Sequence, residues 1–242
     1  MAHSLLHRRA VIGVLAGRGL EVGALHEPTG LGAGCRVEYF DAITEEQARA
    51  LFPELPPGGF VHVDHVGDLD RGGLGAFADG SLDFVIMNHV LEHLANPLLA
   101  VREAFRVIRT GGVAVLSIPD MRFTFDARRR LTPWEHLWGD YAGGVVESSD
   151  EHYLDFLRSA APHVFGEPTG NLAIHVARVR GRREHAHVWS SQSFREHLVR
   201  AMAAFGVEAS PAFESTGDEN GLEYFSMWRK AGGPAPTSGA CP

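Results

Sequence analysis

The order of apolar and polar residues along the chain predicts alternating strands and helices. Continuous apolar runs at 82–88 and 113–119 are typical of strands buried on both faces of a sheet. Between them, Asn96 and Pro97 predict a helix start, and apolar residues follow at helical spacing until Gly111. A strand, a crossover helix and a second strand imply an α/β fold with a parallel sheet and helices on both faces.

Shorter patterns extend this scheme towards both ends of the chain. The apolar runs 20–25 and 36–40 are predicted as the first two strands, and the alternating segment 60–66 as the third. Near the other end, 206–216 and 222–230 are predicted as strands. The connection between these two is so short that they must form an antiparallel hairpin.

Three further segments are predicted to be helical. The first covers 5–17, and the second covers 44–52, where the N-terminal residues resemble a capping box. The third covers 194–205 and is capped by Ser190 or Ser193. These helices complete a doubly wound arrangement.

Residues 120–188 interrupt the alternation. The segment is rich in Arg, His, Asp and Trp and contains helical fragments but no repeating strand–helix unit. We therefore expect one domain over 1–230, with a lid-like insertion at about 120–188 that covers a substrate site. The Gly- and Pro-rich segment 231–242 is predicted to be disordered.

Composition restricts the function. A net charge of −8 argues against binding nucleic acid through a broad basic surface and suits a neutral or cationic small substrate. With only Cys35 and Cys241, a disulfide framework or a multi-cysteine zinc site is excluded, and a cytoplasmic location is expected. No apolar run approaches the ~20 residues of a membrane-spanning helix, so no membrane partner is expected. The sequence does not indicate an oligomeric state.

The predicted strand ends carry residues that suit a ligand site. In open α/β sheets, ligands bind beyond the carboxyl ends of the strands. Gly23 allows close approach of the backbone there, and Asp41 is placed to accept hydrogen bonds from a ribose. The glycine-rich stretch 30–34 lies too far beyond the first strand to open a helix, which disfavours a nicotinamide cofactor.

Four motifs occur in the region 79–120: Asp79-Gly80-Ser81-Leu82-Asp83, Leu91-Glu92-His93, Glu103 with Arg106-Val107-Ile108, and Gly111-Gly112. Together with the first two strands, they resemble class I S-adenosylmethionine-dependent methyltransferases over residues 19–120, in particular the broad type-11 group of small-molecule enzymes. The resemblance implies a Rossmann-like, mostly parallel seven-stranded sheet with an antiparallel C-terminal hairpin. It also implies S-adenosyl-L-methionine as cofactor.

The resemblance assigns cofactor contacts to eight residues near the strand ends. These are Glu21, Gly23 and Ala24 at the methionine part, Asp41 at the ribose, Asp68 and Leu69 at the adenine, and Asn88 with His89 at the sulfonium. The usual glycine-rich loop is replaced by 23–28, with little room for a first helix. The groups that bind the cofactor carboxylate are therefore not identified.

The residues after Pro119 are similar to a narrower bacterial subgroup of the superfamily, with an RFTFD segment, a T-x-x-E-H segment and an H-x-H-V-W segment. If 184–189 is extended, His185, His187 and Trp189 share one face. Imidazole is the usual proton acceptor near neutral pH, so His187 or His185 is expected to act as the base. Asp120 is expected as the third catalytic residue, which holds the substrate, and the expected substrate contacts are His93, Arg122, His136 and Trp189.

Several alternatives are open at this stage. His93 could instead hydrogen-bond its own loop, and the histidines of the insertion could be packing residues. Asp120, His185 and His187 could hold a metal in a metal-assisted O-methyltransferase, although no metal ligand is assigned. The H-x-x-E-H pattern from His89 matches zinc proteases, but its position directly after a buried strand disfavours that function.

The function predicted from the sequence is methyl transfer to nitrogen or oxygen of a small polar metabolite. An amino sugar or another natural-product intermediate suits the acidic charge and the aromatic and histidine-rich insertion. The alternative from another class is a cofactor-binding or scaffold module that has the fold without turnover. The altered glycine loop favours this alternative, whereas the presence of Asp41, Asp68 and Asn88 disfavours it.

Overall fold

The computed structural model describes residues 5–56, 58–167 and 169–232. Seven strands form one sheet in the order β3-β2-β1-β4-β5-β7-β6. The strands are β1 (Gly17–Val22), β2 (Cys35–Asp41), β3 (His65–Val66), β4 (Leu82–Asn88), β5 (Ile108–Pro119), β6 (Ala209–Ser215) and β7 (Glu223–Lys230).

Helices cover the sheet and form the insertion. The described α-helices are α1 (Glu45–Leu51), α2 (Leu69–Gly72), α3 (Pro97–Val107), α4 (Trp134–Gly143), α5 (Asp150–Ala160), α6 (Thr169–Gly181), α7 (Ser191–Ala204) and α8 (Gly217–Asn220). Short 3₁₀ segments lie at Leu6–Gly13, Leu91–His93, Met121–Phe123 and Pro162–Gly166.

The pairing of the strands confirms the predicted fold class. The first five strands are parallel to one another, whereas β7 is antiparallel to both β5 and β6. The apolar runs of β4 and β5 are buried, as expected for strands covered on both faces. The closing hairpin inserts β7 next to β5 and leaves β6 at the edge of the sheet.

Local capping chemistry fixes the starts of three helices as predicted. The side chain of Asn96 accepts a hydrogen bond from the Leu99 amide at the start of α3, with Pro97 in the first turn. Thr44 and Gln47 form a capping box on α1. Ser190, rather than Ser193, is the N-cap of α7.

Two segments differ from the predictions. The predicted helix over 5–17 is a 3₁₀ segment that ends at Gly13, because β1 already begins at Gly17. The predicted strand over 60–66 is reduced to its last two residues. The Tyr39 amide donates to the side chain of Asp64 rather than to a backbone carbonyl, so strand pairing with β2 starts only at His65.

The insertion contains three α-helices, and two of them, α5 and α6, share a small core that is separate from the main core. Tyr153, Phe156, Leu157, Val164 and Val176 are buried together between α5 and α6. This segment has no strand among its described residues, in agreement with the loss of alternation in the sequence. No helix within the described ranges is long and apolar enough to span a bilayer. The predicted disordered tail lies, from residue 233 onwards, outside the described residues.

Candidate functional site

A cavity of about 370 Å³ opens at the carboxyl ends of β1, β2 and β4. In the order β3-β2-β1-β4-β5, the sheet changes direction between β1 and β4, which is where open α/β sheets bind ligands. Five of the predicted site residues line the cavity: Gly23, Asp41, Leu69, His89 and His93. The insertion also contributes to the wall, through residues 181–184.

The backbone at the end of β1 requires glycine. Gly23 has φ +68°, a conformation that L side chains rarely adopt, and a Cβ added there would lie 2.9 Å from Cγ2 of Val90. The loop over 23–34 that follows contains no helix, as the short spacing between β1 and β2 predicted. Ala24, the next residue, is half-buried but does not line the cavity.

Asp41 ends β2 and presents a carboxylate to the cavity. One of its oxygens accepts a hydrogen bond from the Ile43 amide at 3.2 Å. Burial raises the pKa of this carboxyl group, an effect that backbone hydrogen bonds from Ile43 and Ala42 partly offset. A polar ligand that donates hydrogen bonds to Asp41 would compensate the same cost of burial.

Asp68 lies at the edge of the cavity, at the N-terminus of α2, where it accepts a hydrogen bond from the Asp70 amide. Its carboxylate forms a two-point ion pair with Arg183 of the insertion, in which Nη1 and Oδ1 are 3.2 Å apart. Burial alone would raise the pKa of Asp68, but Arg183 outweighs this and lowers it. The sequence did not indicate this partner, because 115 positions separate the two residues.

Glu21 and Asn88 shape the loop behind the cavity and do not line the cavity itself. Buried Glu21 accepts hydrogen bonds from the amide and hydroxyl of Thr29, at 2.9 and 2.7 Å. Asn88 donates to the same hydroxyl at 3.1 Å and accepts from Ser117 at 3.0 Å. This network ties the loop over 23–34 to the ends of β1, β4 and β5.

His89 takes a left-handed backbone conformation, with φ +54°, directly after β4. Its Nε2 lies 2.6 Å from Oε2 of Glu223, a fully buried carboxylate that also accepts from Nε of Arg8 at 2.7 Å. Burial acts to raise the pKa of Glu223, but hydrogen bonds from Arg8, His7 and His89 lower it strongly. Sequence patterns gave no signal for Arg8 and Glu223, since both reach His89 only through the tertiary fold.

His93 lines the cavity and is fixed by the insertion. Its Nδ1 lies 2.5 Å from the backbone carbonyl oxygen of Arg183. A carbonyl oxygen only accepts, so Nδ1 carries the hydrogen and Nε2 is left as an acceptor. Burial lowers the pKa of His93, although the nearby Glu92 acts in the opposite direction, so the neutral imidazole is favoured near neutral pH.

His185 does not line the cavity and lies behind His93, with ring centroids 4.8 Å apart. Its Nδ1 is 2.6 Å from Oδ2 of Asp126, and Arg129 donates to the other oxygen of that carboxylate. Burial alone would lower the pKa of His185, but Asp126 and the charge of Glu92 raise it. This shift stabilises the protonated form, which makes His185 less suited to accept a proton.

Asp120, Arg122 and Trp189 hold the end of β5 and do not line the cavity. Asp120 is fully buried and accepts hydrogen bonds from Arg122 and from the amide and hydroxyl of Ser191. Arg122 also pairs with Asp218. Trp189 is buried against Phe194, at 5.4 Å between ring centroids.

His187 and His136 belong to a cluster inside the insertion. Their ring centroids are 5.5 Å apart, and Asp140 and His152 complete the group. His185 contacts a different set of rings, so the expected common face of His185 and His187 does not bring them to one site. The set Asp120, His185 and His187 does not converge as a metal site among the described residues.

Comparison with known proteins identifies the part of the chain that forms most of this cavity. Residues 17–116 match a family model described as a methyltransferase domain. Residues 17–116 form a class I S-adenosylmethionine-dependent methyltransferase domain. The cavity residues Gly23, Asp41, Leu69 and His93 all belong to this domain.

Relatives of the methyltransferase domain have similar descriptions. An uncharacterized methyltransferase of Mycolicibacterium gilvum is 51% identical over 84 residues, which cover 35% of this chain and 26% of that protein. A probable S-adenosylmethionine-dependent methyltransferase of Mycolicibacterium smegmatis is 34% identical over 92 residues, covering 37% of this chain and 31% of that protein. The chain therefore matches less than a third of the length of these curated relatives.

A solved structure extends the likeness of the fold beyond the methyltransferase domain. The YcgJ protein from Bacillus subtilis has a TM-score of 0.50 and 14% sequence identity, and the match covers 94% of this chain and 97% of that one. This similarity concerns the fold alone. The wall formed by residues 181–184 lies outside the matched methyltransferase domain.

Proposed function

We propose that this chain transfers the methyl group of S-adenosylmethionine to nitrogen or oxygen of a small polar metabolite. The observation that carries the proposal is the cavity at the ends of β1, β2 and β4, where Gly23 and Asp41 lie at successive strand ends within a methyltransferase domain. The cavity volume of about 370 Å³ is at the lower end of the range for small-molecule sites. A cofactor would occupy most of it, so an acceptor would need more space than this cavity provides.

The positions of the lining residues support the cofactor roles that we propose. Asp41 would accept hydrogen bonds from the ribose, and Leu69 would contact the adenine. Gly23 would allow the methionine part to approach the backbone, and His89 borders the place where the sulfonium would lie. Asp68 is shared with Arg183, so its contact with the adenine would depend on the position of the insertion.

His93 replaces His185 and His187 as our proposed proton acceptor. It lines the cavity, its Nδ1 is fixed by the Arg183 carbonyl, and its neutral form is favoured by burial. An ammonium acceptor must lose a proton before its lone pair can attack the methyl group, and a hydroxyl must lose its proton before or during the attack. A neutral imidazole is suited to accept that proton, an effect of about 10²–10⁴-fold in rate.

Calorimetry with S-adenosylmethionine and with its demethylated product tests the cofactor part of the proposal. We expect both to bind, and the complete absence of binding by the wild-type chain would refute it. A panel of amines, amino sugars and polar alcohols is then screened for formation of the demethylated cofactor. Binding without turnover on any acceptor would favour the non-catalytic module instead.

A further inference from the structure

Four potential metal ligands converge inside the insertion, away from the cavity. His136 and Asp140 lie one turn apart on α4, His152 lies on α5, and His187 precedes α7. Each offers one ligand atom, and all four atoms lie within 4.8 Å of one another. None of the four residues lines the cavity of the methyltransferase domain.

The spacing of these atoms is close to that of a tetrahedral site. Nε2 of His136 is 2.9 Å from Nε2 of His152 and 3.2 Å from Oδ2 of Asp140. Ligands bound to zinc at about 2.0–2.2 Å with tetrahedral angles lie roughly 3.3–3.6 Å from one another. A small contraction or expansion of these distances is enough to place one ion between the four atoms.

Buried polar atoms in the cluster lack hydrogen-bond partners. His187 is 1% exposed, and neither of its ring nitrogens makes a hydrogen bond, although the Ala95 backbone lies close by. Oδ2 of Asp140 is also buried, and its contact with His136 lacks hydrogen-bond geometry. Buried polar groups without partners are rare and costly, so this arrangement favours a ligand that satisfies several of them at once.

The orientation of one imidazole suits a metal ligand. Neutral imidazole is the form that binds metal ions. Nδ1 of His152 lies 3.0 Å from the hydroxyl of Ser149, so its Nε2 faces the other ligand atoms, 2.9 Å from Nε2 of His136.

We propose that His136, Asp140, His152 and His187 bind one divalent transition-metal ion, Zn²⁺ in the first place, as a structural site. Three imidazoles and one carboxylate are a ligand set that Zn²⁺ accepts, and four protein ligands leave no open position for a substrate. The ion would join α4, α5 and the segment before α7. It would thereby fix the insertion that carries the wall residues 181–184.

A second cluster provides the internal comparison. Glu92, His93 and His185 also approach one another, but they offer one ligand atom fewer, and Nδ1 of His185 is already bound to Asp126. The four-residue cluster is therefore the better match to a closed site. Variants in both clusters distinguish where an ion binds.

Metal content of the full chain, prepared without a metal-binding tag, tests the proposal. After chelation and reloading with Zn²⁺, we expect one Zn²⁺ per chain by mass spectrometry and a higher melting temperature than without metal. Loading with Co²⁺ should give the intense visible bands of a tetrahedral site. Neither readout requires cofactor or substrate, so the result is independent of the proposed methyl transfer.

The variants H152Q and D140N should lose the bound ion and the rise in melting temperature, whereas H175Q and E92Q should keep both. His175, on α6, contacts Glu167 and serves as the matched histidine control. Circular dichroism confirms that each variant is folded. The proposal is overturned if the folded wild type binds no Zn²⁺, or if E92Q rather than H152Q abolishes binding.

Discussion

Arg183 and Asp68 form an ion pair across the edge of the cavity and join the insertion to the methyltransferase domain. The same Arg183 accepts a hydrogen bond from His93 through its backbone carbonyl. Its own backbone is in the left-handed region, with φ +49°. Arg183 therefore contacts both Asp68, the predicted adenine contact, and His93, the proposed base. A shift of the insertion would change the surroundings of both residues.

We expect the variant R183Q to loosen the insertion. Without the ion pair, hydrogen exchange over 169–184 should accelerate relative to the wild type, while exchange over β5 stays unchanged. The exposed residue Arg130 provides the matched control as R130Q. Equal exchange in R183Q and the wild type would show that the pair does not hold the insertion in place.

Asp41 is expected to contribute directly to cofactor affinity. The variant D41N should weaken binding of S-adenosylmethionine by about 1–3 kcal/mol, or roughly 5–150-fold, because hydrogen bonds to a charged group are lost. Calorimetry measures the change, with E46Q on the exposed face of α1 as control. An unchanged affinity of D41N would remove Asp41 from the cofactor site.

Asp120 is expected to make stability depend on acid pH. Burial opposes ionisation, but hydrogen bonds from Arg122 and Ser191 lower the pKa of Asp120 to about 2 in the folded chain. Since the folded pKa is below the unfolded value of about 3.9, the stabilisation is complete above that value and is lost as the pH falls towards about 2. The loss should be about 2 kcal/mol in the free energy of unfolding.

Denaturant unfolding between pH 5 and pH 2 measures this contribution. At pH 5, D120N should have a lower free energy of unfolding than the wild type. As the pH falls to 2, D120N should lose less of that free energy than the wild type does. D218N removes the exposed partner of the same arginine and should change stability little, because exposed ion pairs contribute little. If the two variants behave alike, the buried carboxylate is not the source of the acid dependence.

The sequence predicted the sheet well because its signals are local. The buried runs of β4 and β5 and the caps at Asn96 and Thr44 each depend on residues a few positions apart. The prediction of a strand over 60–66 was wrong for most of its length. The side chain of Asp64 accepts a hydrogen bond from a backbone amide of β2, which a neighbouring strand would otherwise accept. The pattern of apolar and polar residues does not indicate that a side chain replaces a backbone carbonyl in this way.

The site was only partly predictable, because the sequence signals are local and several contacts of the site are not. Gly23, Asp41 and Leu69 reach the cavity because parallel strands end at one edge of the sheet. The roles expected for His185 and His187 assumed an extended strand. Instead, the amides of Ala186 and His187 both donate to the Glu92 carbonyl, at 2.7 and 3.1 Å, so regular alternation is lost there.

The pH dependence of turnover should identify the proton acceptor. Burial lowers the pKa of His93, so its neutral, proton-accepting form should persist to below the ordinary histidine value of about 6.5. With the acceptor found in the product screen, the rate should rise with pH along a limb below that value and then level off. H93Q should lower kcat by about 10²–10⁴-fold and remove this limb, with cofactor affinity nearly unchanged.

Two further variants decide between the imidazoles near the cavity. H62Q changes an exposed histidine and should keep both the rate and the limb. H89Q alters the other imidazole of the cavity wall, whose Nε2 contacts Glu223, and should keep the limb even if its rate falls. If the limb disappears in H89Q and persists in H93Q, the proton is accepted by His89, and the carbonyl of Arg183 only positions a wall residue.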